Sequence, residues 1–180
     1  MRVTLWETRS SREVYSNQWI RVREDQVVRP DGSDGMYGLL ELHHPVAFVV
    51  PVTDDDEVVL VRIERYTVGE SLEVPAGNTD GDEPEVAARR ELREETGYAA
   101  RDWQRLGVLH GLNGVANVSA HIFLARGLDH VGGQEHEEEG ITAVAAYEWP
   151  DVRRMLHDGT ITDSESVASL MLAAIELGWA

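Results

Sequence analysis

Near the middle of the chain, residues 90–97 form the run Arg90-Glu91-Leu92-Arg93-Glu94-Glu95-Thr96-Gly97. In a helix, Glu91 would lie beside both Glu94 and Glu95, because residues three and four apart are neighbours on the same side. Like charges at that spacing destabilise a helix. Oxygen ligands grouped in this way suit Mg²⁺ or Mn²⁺, which would remove the repulsion and bridge the carboxylates to phosphates of a substrate.

The same run also fits an ordinary solvated helix face. In that interpretation, nearby arginines screen the glutamates through pairs such as Arg90 with Glu94. The run by itself leaves both interpretations open.

Residues upstream and downstream of the run predict the limits of the helix. Asp82 can cap its first turn together with Glu85, Pro84 falls within that turn, and Gly97 ends the helix. We therefore expect a helix from Asp82 to Thr96.

Strand-like segments surround this helix. Val46–Val52 is an unbroken apolar run that predicts a strand buried on both faces, and Val58–Ile63 is expected to pair with it. Further strands are predicted at Trp103–His110, Ser119–Ala125 and Ile141–Glu148, and further helices at Asp151–His157 and Asp163–Leu177. This order indicates an α/β or α+β fold with a mixed β-sheet.

The first 44 residues are predicted to form a separate β-rich module. Strand-like stretches at Trp19–Val28 and Met36–Leu42 flank a turn at residues 29–33 that contains proline and glycine. We expect residues 1–44 to form this N-terminal hairpin module and residues 45–180 to form the main domain.

Composition excludes several classes of function. Sixteen basic and thirty-three acidic residues give a formal charge of −17, which disfavours nucleic acid and anionic membrane surfaces as partners. There is no cysteine, so disulfides, thiolate metal sites and cysteine nucleophiles are ruled out. The longest apolar runs are too short to span a bilayer, and the N-terminus lacks the apolar core of a signal peptide. These features predict a cytoplasmic protein.

Together with its upstream loop, the glutamate run resembles the Nudix box. That pattern is Gly-x5-Glu-x7-Arg-Glu-U-x-Glu-Glu-x-Gly-U with U apolar, and it is similar to Gly77 … Asp82 … Arg90–Tyr98 here. Counted back from Arg90, the first acidic position falls on Asp82, and the loop from Gly77 is one residue short; using Glu83 instead would shorten the helix. The resemblance implies an α/β/α sandwich whose box glutamates hold divalent metal against a diphosphate.

Beyond the box, the chain resembles the ADP-ribose pyrophosphatase branch of that family. This resemblance implies that Glu91 and Glu95 are the principal metal ligands, that Glu94 assists in metal binding and catalysis, and that Ala76 contributes its backbone carbonyl. The acidic segment before Ile141 lies where relatives place a catalytic glutamate. Glu137 is the first candidate for that role and Glu139 the second, the alternative being a solvated acidic loop.

Two residues upstream of the box are candidates for substrate binding. Arg65 is expected to clamp a phosphate beside Glu73, since its guanidinium can bind in bidentate fashion, although an ion pair of Arg65 with Glu64 or Glu73 is an open alternative. Trp6 and Trp19 fit a homodimer interface, as in the N-terminal modules of relatives, but also a core position.

The function expected from this resemblance is Mg²⁺- or Mn²⁺-dependent hydrolysis of the pyrophosphate bond of a nucleoside diphosphate sugar. ADP-ribose, cleaved to AMP and ribose 5-phosphate, is the first candidate substrate. The alternatives are another nucleotide sugar, such as GDP-mannose, and a non-catalytic Nudix module that senses a nucleotide.

Overall fold

The computed structural model describes residues 5–134 and 139–180. It divides into two compact units. One unit runs up to His44 and includes His110–Ser119, and the other comprises Pro45–Leu109 and the chain from Ala120 onwards.

Within the residues that precede Pro45, the smaller unit contains the predicted hairpin and one further strand. Strands β1 (Glu7–Ser16), β2 (Ile20–Val28) and β3 (Asp34–Leu42) follow one another in antiparallel order, and β2 and β3 pair without interruption. Strand β1 was not predicted, because its ten residues are all exposed and mostly polar, so no apolar alternation marks them.

The larger unit is built on the mixed sheet that the sequence predicts. Its strands are β4 (Val46–Val52), β5 (Glu57–Arg65), β6 (Gly69–Glu73), β7 (Ala76–Asn78), β8 (Tyr98–Gly111), β9 (Ala116–His130) and β10 (Ile141–Glu148). Strand β4 is parallel to β9 and antiparallel to β5 and β7, and β5 is antiparallel to β6 and β10. The end of β8 and the start of β9 lie within His110–Ser119, the segment that belongs to the smaller unit.

Helices cover both faces of this sheet. They are α1 (Pro84–Thr96), α2 (Trp149–Asp158) and α3 (Ser164–Leu177). On β4, Val50 and Val52 belong to a core cluster shared with α2 and α3, whereas Ala47 and Val49 belong to a cluster shared with α1. The alternation of side chains along one buried strand therefore produces the α/β/α sandwich, as predicted. Within the described parts of the chain, no helix is long and apolar enough to cross a membrane.

The start of α1 differs from the prediction. The N-cap is Glu83 rather than Asp82, and no side chain caps the helix. Pro84 explains the difference, because a residue that precedes proline is driven into an extended conformation, and Glu83 has φ −61° and ψ 137°. The end is as predicted: Gly97 adopts the left-handed conformation, with φ 75°.

Candidate active site

Helix α1 carries two of its glutamates into the protein interior. Ala88 and Leu92 are fully buried against the sheet, which fixes the face of the helix that points inward. Glu91 and Glu95, one turn apart, lie at the edge of this face and are only 6% and 2% exposed. Glu94 is half-buried. The packing of the apolar face therefore forces two like charges out of water.

A short peptide from Val74 to Gly77 faces these two carboxylates. The Ala76 N–H donates to Glu95 Oε2 at 2.9 Å, and the Pro75 carbonyl accepts from the Val49 N–H at 2.9 Å. Gly77 lies so close to Glu91 that a Cβ atom at this position would be 2.1 Å from Glu91 Oε1. A side chain at this position would therefore displace the Glu91 carboxylate from the backbone that it approaches.

Arg90 connects the glutamates to the loop before the helix. Its guanidinium lies 2.7 Å from Glu91 Oε1 and 2.9 Å from Glu94 Oε2, and it donates to the Asn78 carbonyl at 2.8 Å. The pairing of Arg90 with Glu94 that the solvated-face interpretation expects is therefore present. The burial of Glu91 and Glu95 is the feature that this interpretation does not explain.

Burial changes the proton affinity of both inward glutamates. It raises the pKa of Glu91 to about 7 and that of Glu95 to about 8, and the negative charge of Glu139 adds to both increases. Glu139, the second candidate for the water-activating residue, is exposed but lies close enough to act on this pair. Glu137, the first candidate, lies outside the described residues.

These groups fit a hard divalent cation in donor type and in charge. Carboxylate oxygens are the ligands that Mg²⁺ and Mn²⁺ prefer, and a cation beside Glu91 and Glu95 would offset the cost of burying them. In the described part of the chain, no three acidic or histidine side chains converge as a ready-made metal cluster. Instead, Glu91 and Glu94 are paired with Arg90, and Glu95 accepts from Ala76.

A pocket of about 500 Å³ opens beside this peptide and reaches Ala76 and Gly77. In its wall, Arg65 makes a bidentate pair with the buried Glu73, at 3.2 Å and 2.6 Å, and this contact raises the pKa of Arg65. The ion-pair alternative for Arg65 is therefore the geometry observed. The polar residues that line the pocket are Arg65, Thr67, Ser71, Glu73, Thr162, Asp163 and Ser164.

Comparison with known proteins identifies the family. A family model described as the NUDIX domain matches residues 42–170, and one described as the nucleoside diphosphate sugar hydrolase N-terminal domain matches residues 6–40. The chain belongs to the Nudix family. As a member of that family it is a Nudix hydrolase.

Relatives of this Nudix hydrolase carry different substrate names. It is 33% identical over 180 residues to the ADP-ribose pyrophosphatase of Mycobacterium tuberculosis (strain ATCC 25618 / H37Rv), with 97% of this chain and 86% of that protein covered. It is 32% identical over 124 residues to the GDP-mannose pyrophosphatase of Escherichia coli O1:K1 / APEC, with 63% and 64% covered. Among solved structures, an ADP compounds hydrolase matches with a TM-score of 0.85 and 20% identity over the whole of both chains, which shows the shared fold.

The shortened loop of the Nudix box leaves its helical half undisturbed. Asp82 and Glu83 are both exposed and precede α1, while α1 runs without a break from Pro84 to Thr96. Arg90, Glu91, Glu94 and Glu95 therefore keep their helical spacing.

Two features of the site were not found from the sequence. Asp163, the N-cap residue of α3, accepts from the Ser166 N–H at 2.7 Å and also lines the pocket, where burial raises its pKa. Ser166 reaches the Val74 N–H across 92 positions of sequence, at 3.1 Å. No local pattern could reveal such a contact, although a serine in the first turn of an apolar helix was a visible signal.

Proposed function

We propose that this Nudix hydrolase cleaves the pyrophosphate bond of ADP-ribose, in the presence of Mg²⁺, to give AMP and ribose 5-phosphate. The observation that carries the proposal is the buried pair Glu91 and Glu95, set against the Val74–Gly77 peptide at the edge of a polar pocket. The resemblance to ADP-ribose pyrophosphatases over nearly the whole chain supports the choice of substrate.

Glu91 and Glu95 would hold the cation, with Glu94 assisting and the Ala76 carbonyl as a backbone ligand. Mg²⁺ or Mn²⁺ bound there would neutralise diphosphate oxygens and lower the pKa of a water molecule. The remaining work belongs to the protein: Arg90 orients Glu91 and Glu94 through the ion pairs that it makes with both.

Proton removal from the attacking water is assigned to the acidic segment before β10. Glu137 remains the first candidate and Glu139 the second, and the effect of Glu139 on the pKa values of Glu91 and Glu95 supports its proximity. Each is to be changed separately to Gln. The assignment fails if neither variant has a severely reduced kcat while Mn²⁺ still binds.

Arg65 and Glu73 are proposed to bind substrate in the pocket. Glu73 holds the Arg65 guanidinium by two hydrogen bonds, which leaves the outer edge of the guanidinium to donate to a phosphate oxygen. Changing Arg65 to Lys should raise KM more than it lowers kcat, because lysine cannot reproduce the planar fork.

A substrate panel tests the reaction itself. Purified protein is incubated with Mg²⁺ and either ADP-ribose or GDP-mannose, and nucleoside monophosphate release is measured by chromatography. Preferred release of AMP supports the proposal, and preferred release of GMP supports the second candidate, which the similarity to a GDP-mannose pyrophosphatase favours. Calorimetric binding of nucleotide without any hydrolysis would instead identify a non-catalytic sensor and reject the enzyme.

We also propose that the protein acts as a homodimer through its N-terminal unit. Trp19, Met36 and Tyr15 are each more than half exposed there and would lose contact with water if a second copy covered them. Sedimentation should show a dimer that Trp19→Ala weakens, and a monomeric wild type would reject this proposal. The cytoplasmic location stays a prediction from sequence.

A further inference from the structure

Three elements fix the position of the peptide Val74–Gly77. Strand β4 bonds to the Pro75 carbonyl through the Val49 N–H, and α1 bonds to the Ala76 N–H through Glu95 Oε2. The third bond comes from α3, where Ser166 Oγ accepts the Val74 N–H at 3.1 Å. The Ser166 bond is thus the contribution of α3 to the position of a peptide that is otherwise held by strand β4 and helix α1.

Both partners of this third bond are fully enclosed. Ser166 is 0% exposed and Val74 is 1% exposed, so solvent has no ready access to either group. A buried N–H group that loses its acceptor under these conditions has to move or remain unpaired. The loss of the Ser166 hydroxyl is therefore expected to shift the backbone at Val74.

Ser166 is itself held firmly. Its own N–H donates at 2.7 Å to Oδ2 of Asp163, the N-cap residue of α3. This bond joins the first turn of α3 to its N-cap residue, so the backbone that carries the Ser166 hydroxyl is well ordered. The support suits a group whose role is to hold another segment in place.

We propose that Ser166 is a positioning residue for the metal site, and that its hydroxyl holds Ala76 in register with Glu95. Only Pro75 separates Val74 from Ala76, and Ala76 is bonded directly to Glu95. A shift at Val74 is therefore passed to both groups. This inference rests on the proposed function, in which Ala76 and Glu95 take part in holding the cation.

Ser169 provides a matched control on the same helix. It is also 0% exposed, and its Oγ atom has no hydrogen-bond partner among the residues that the structure describes. Changing either serine to alanine removes one oxygen atom from an equally buried place. Only the Ser166→Ala change breaks a bond to the peptide.

The first measurement requires no metal and no substrate. Amide hydrogen exchange at Val74 and Ala76 is followed by NMR in the wild type, Ser166→Ala and Ser169→Ala. In Ser166→Ala we expect the protection of both amides to fall at least about tenfold relative to Ser169→Ala, because the acceptor of one is lost and the other is displaced. Ser166→Cys, whose sulfur is a weak acceptor, gives a smaller loss in the same direction and serves if the alanine variant does not fold.

The second measurement is Mn²⁺ binding by calorimetry on the same three folded proteins. Ser166→Ala should bind Mn²⁺ about tenfold more weakly than the wild type, as is typical for the loss of a group that supports metal ligands, and Ser169→Ala should bind it as the wild type does. A merely structural role would lower the melting temperature without this difference in affinity.

The outcomes separate the two proposals. If the wild type binds Mn²⁺ and hydrolyses a nucleotide sugar, but Ser166→Ala matches it in exchange or in Mn²⁺ affinity, the role of Ser166 is rejected and the proposed function stands. Equal losses of amide protection and of Mn²⁺ affinity in both serine variants would also reject the role of Ser166, since the cause would then be the packing of α3. If the wild type neither binds Mn²⁺ nor hydrolyses any nucleotide, the proposed function fails, even where the exchange data show that Ser166 holds the peptide.

Discussion

On both the outer and the inner face of α1, a glutamate lies one helical turn from another charged residue. The partner has the opposite charge on the outer face and the same charge on the inner face. On the outer face, Glu85 pairs with Arg89 at 2.8 Å, and both side chains are about half exposed. On the inner face, Glu91 stands one turn from Glu95, and both are buried. Water screens the first pair, so its free energy is small, whereas the second concentrates negative charge where water is excluded.

The difference teaches that burial, rather than the number of glutamates, creates the site. The outer pair combines opposite charges and needs no further partner. The inner pair combines like charges whose pKa values are raised to about 7 and about 8, chiefly by burial. A divalent cation removes the cost of that arrangement. Comparing a substitution on the inner face with a matched substitution on the outer face therefore tests the site directly.

The largest expected effect comes from Glu95→Gln compared with Glu85→Gln. The inner change removes a charge from the metal site while keeping an oxygen for the Ala76 N–H, so kcat/KM should fall at least about a hundredfold with little loss of stability. The outer change should leave kcat/KM within about twofold of the wild type. Steady-state kinetics with Mg²⁺ measures both, and equal activity of the two variants would remove the distinction between the faces.

A somewhat smaller loss is expected for Gly77→Ala. The new Cβ would overlap Glu91 Oε1, which is the end of a flexible side chain, so the carboxylate can move aside and the fold survives. We expect metal affinity to fall about tenfold or more with a nearly unchanged melting temperature. The control is Gly107→Ala, since no atom lies within 4 Å of a Cβ added at Gly107. Wild-type Mn²⁺ affinity in Gly77→Ala would contradict the close approach of Glu91 to this loop.

Much of this inner face could be predicted from the sequence, and the reason is local. Glu91, Glu94 and Glu95 lie on one helix whose period is readable, and Gly77 belongs to the same motif. The pairing of Arg65 with Glu73 remained one of two alternatives, because the β5–β6 register sets Arg65 opposite Gly69 and the contact depends on the course of two long side chains. Ser166 could not be assigned, since its contact joins segments that only the tertiary fold brings together. Strand β1 was missed because exposed polar residues carry no period.

The pH dependence of metal binding sharpens the comparison further. Glu91 and Glu95 must lose their protons to bind a cation, so Mn²⁺ affinity should rise at least about tenfold from pH 6 to pH 8. Calorimetry across this range measures the change. In Glu95→Gln the rise should be smaller and should end near pH 7, and an affinity that does not vary with pH would contradict the burial of these groups.

The same raised pKa values predict how the stability of the metal-free protein changes with pH. Between the ordinary glutamate pKa of 4.5 and about 8, the folded protein binds more protons at Glu91 and Glu95 than the unfolded chain does. The contribution of Glu91 and Glu95 to the free energy of unfolding therefore falls as pH rises through that window. Urea unfolding at pH 5.5 and pH 8 checks the sign, and saturating Mn²⁺ should offset the loss at the higher pH.

The smallest expected effect is the stability change caused by Glu85→Gln. The change breaks the surface pair with Arg89, which is worth no more than about 0.5 kcal/mol because both groups keep most of their hydration. Arg89 also lies 4.7 Å from the ring centroid of Trp103, and this contact does not need Glu85. Urea unfolding of the variant should therefore match the wild type within that margin at pH 8. A larger loss of unfolding free energy would mean that the charges on the outer face of α1 also contribute substantially to stability. Burial alone would then no longer distinguish the two faces.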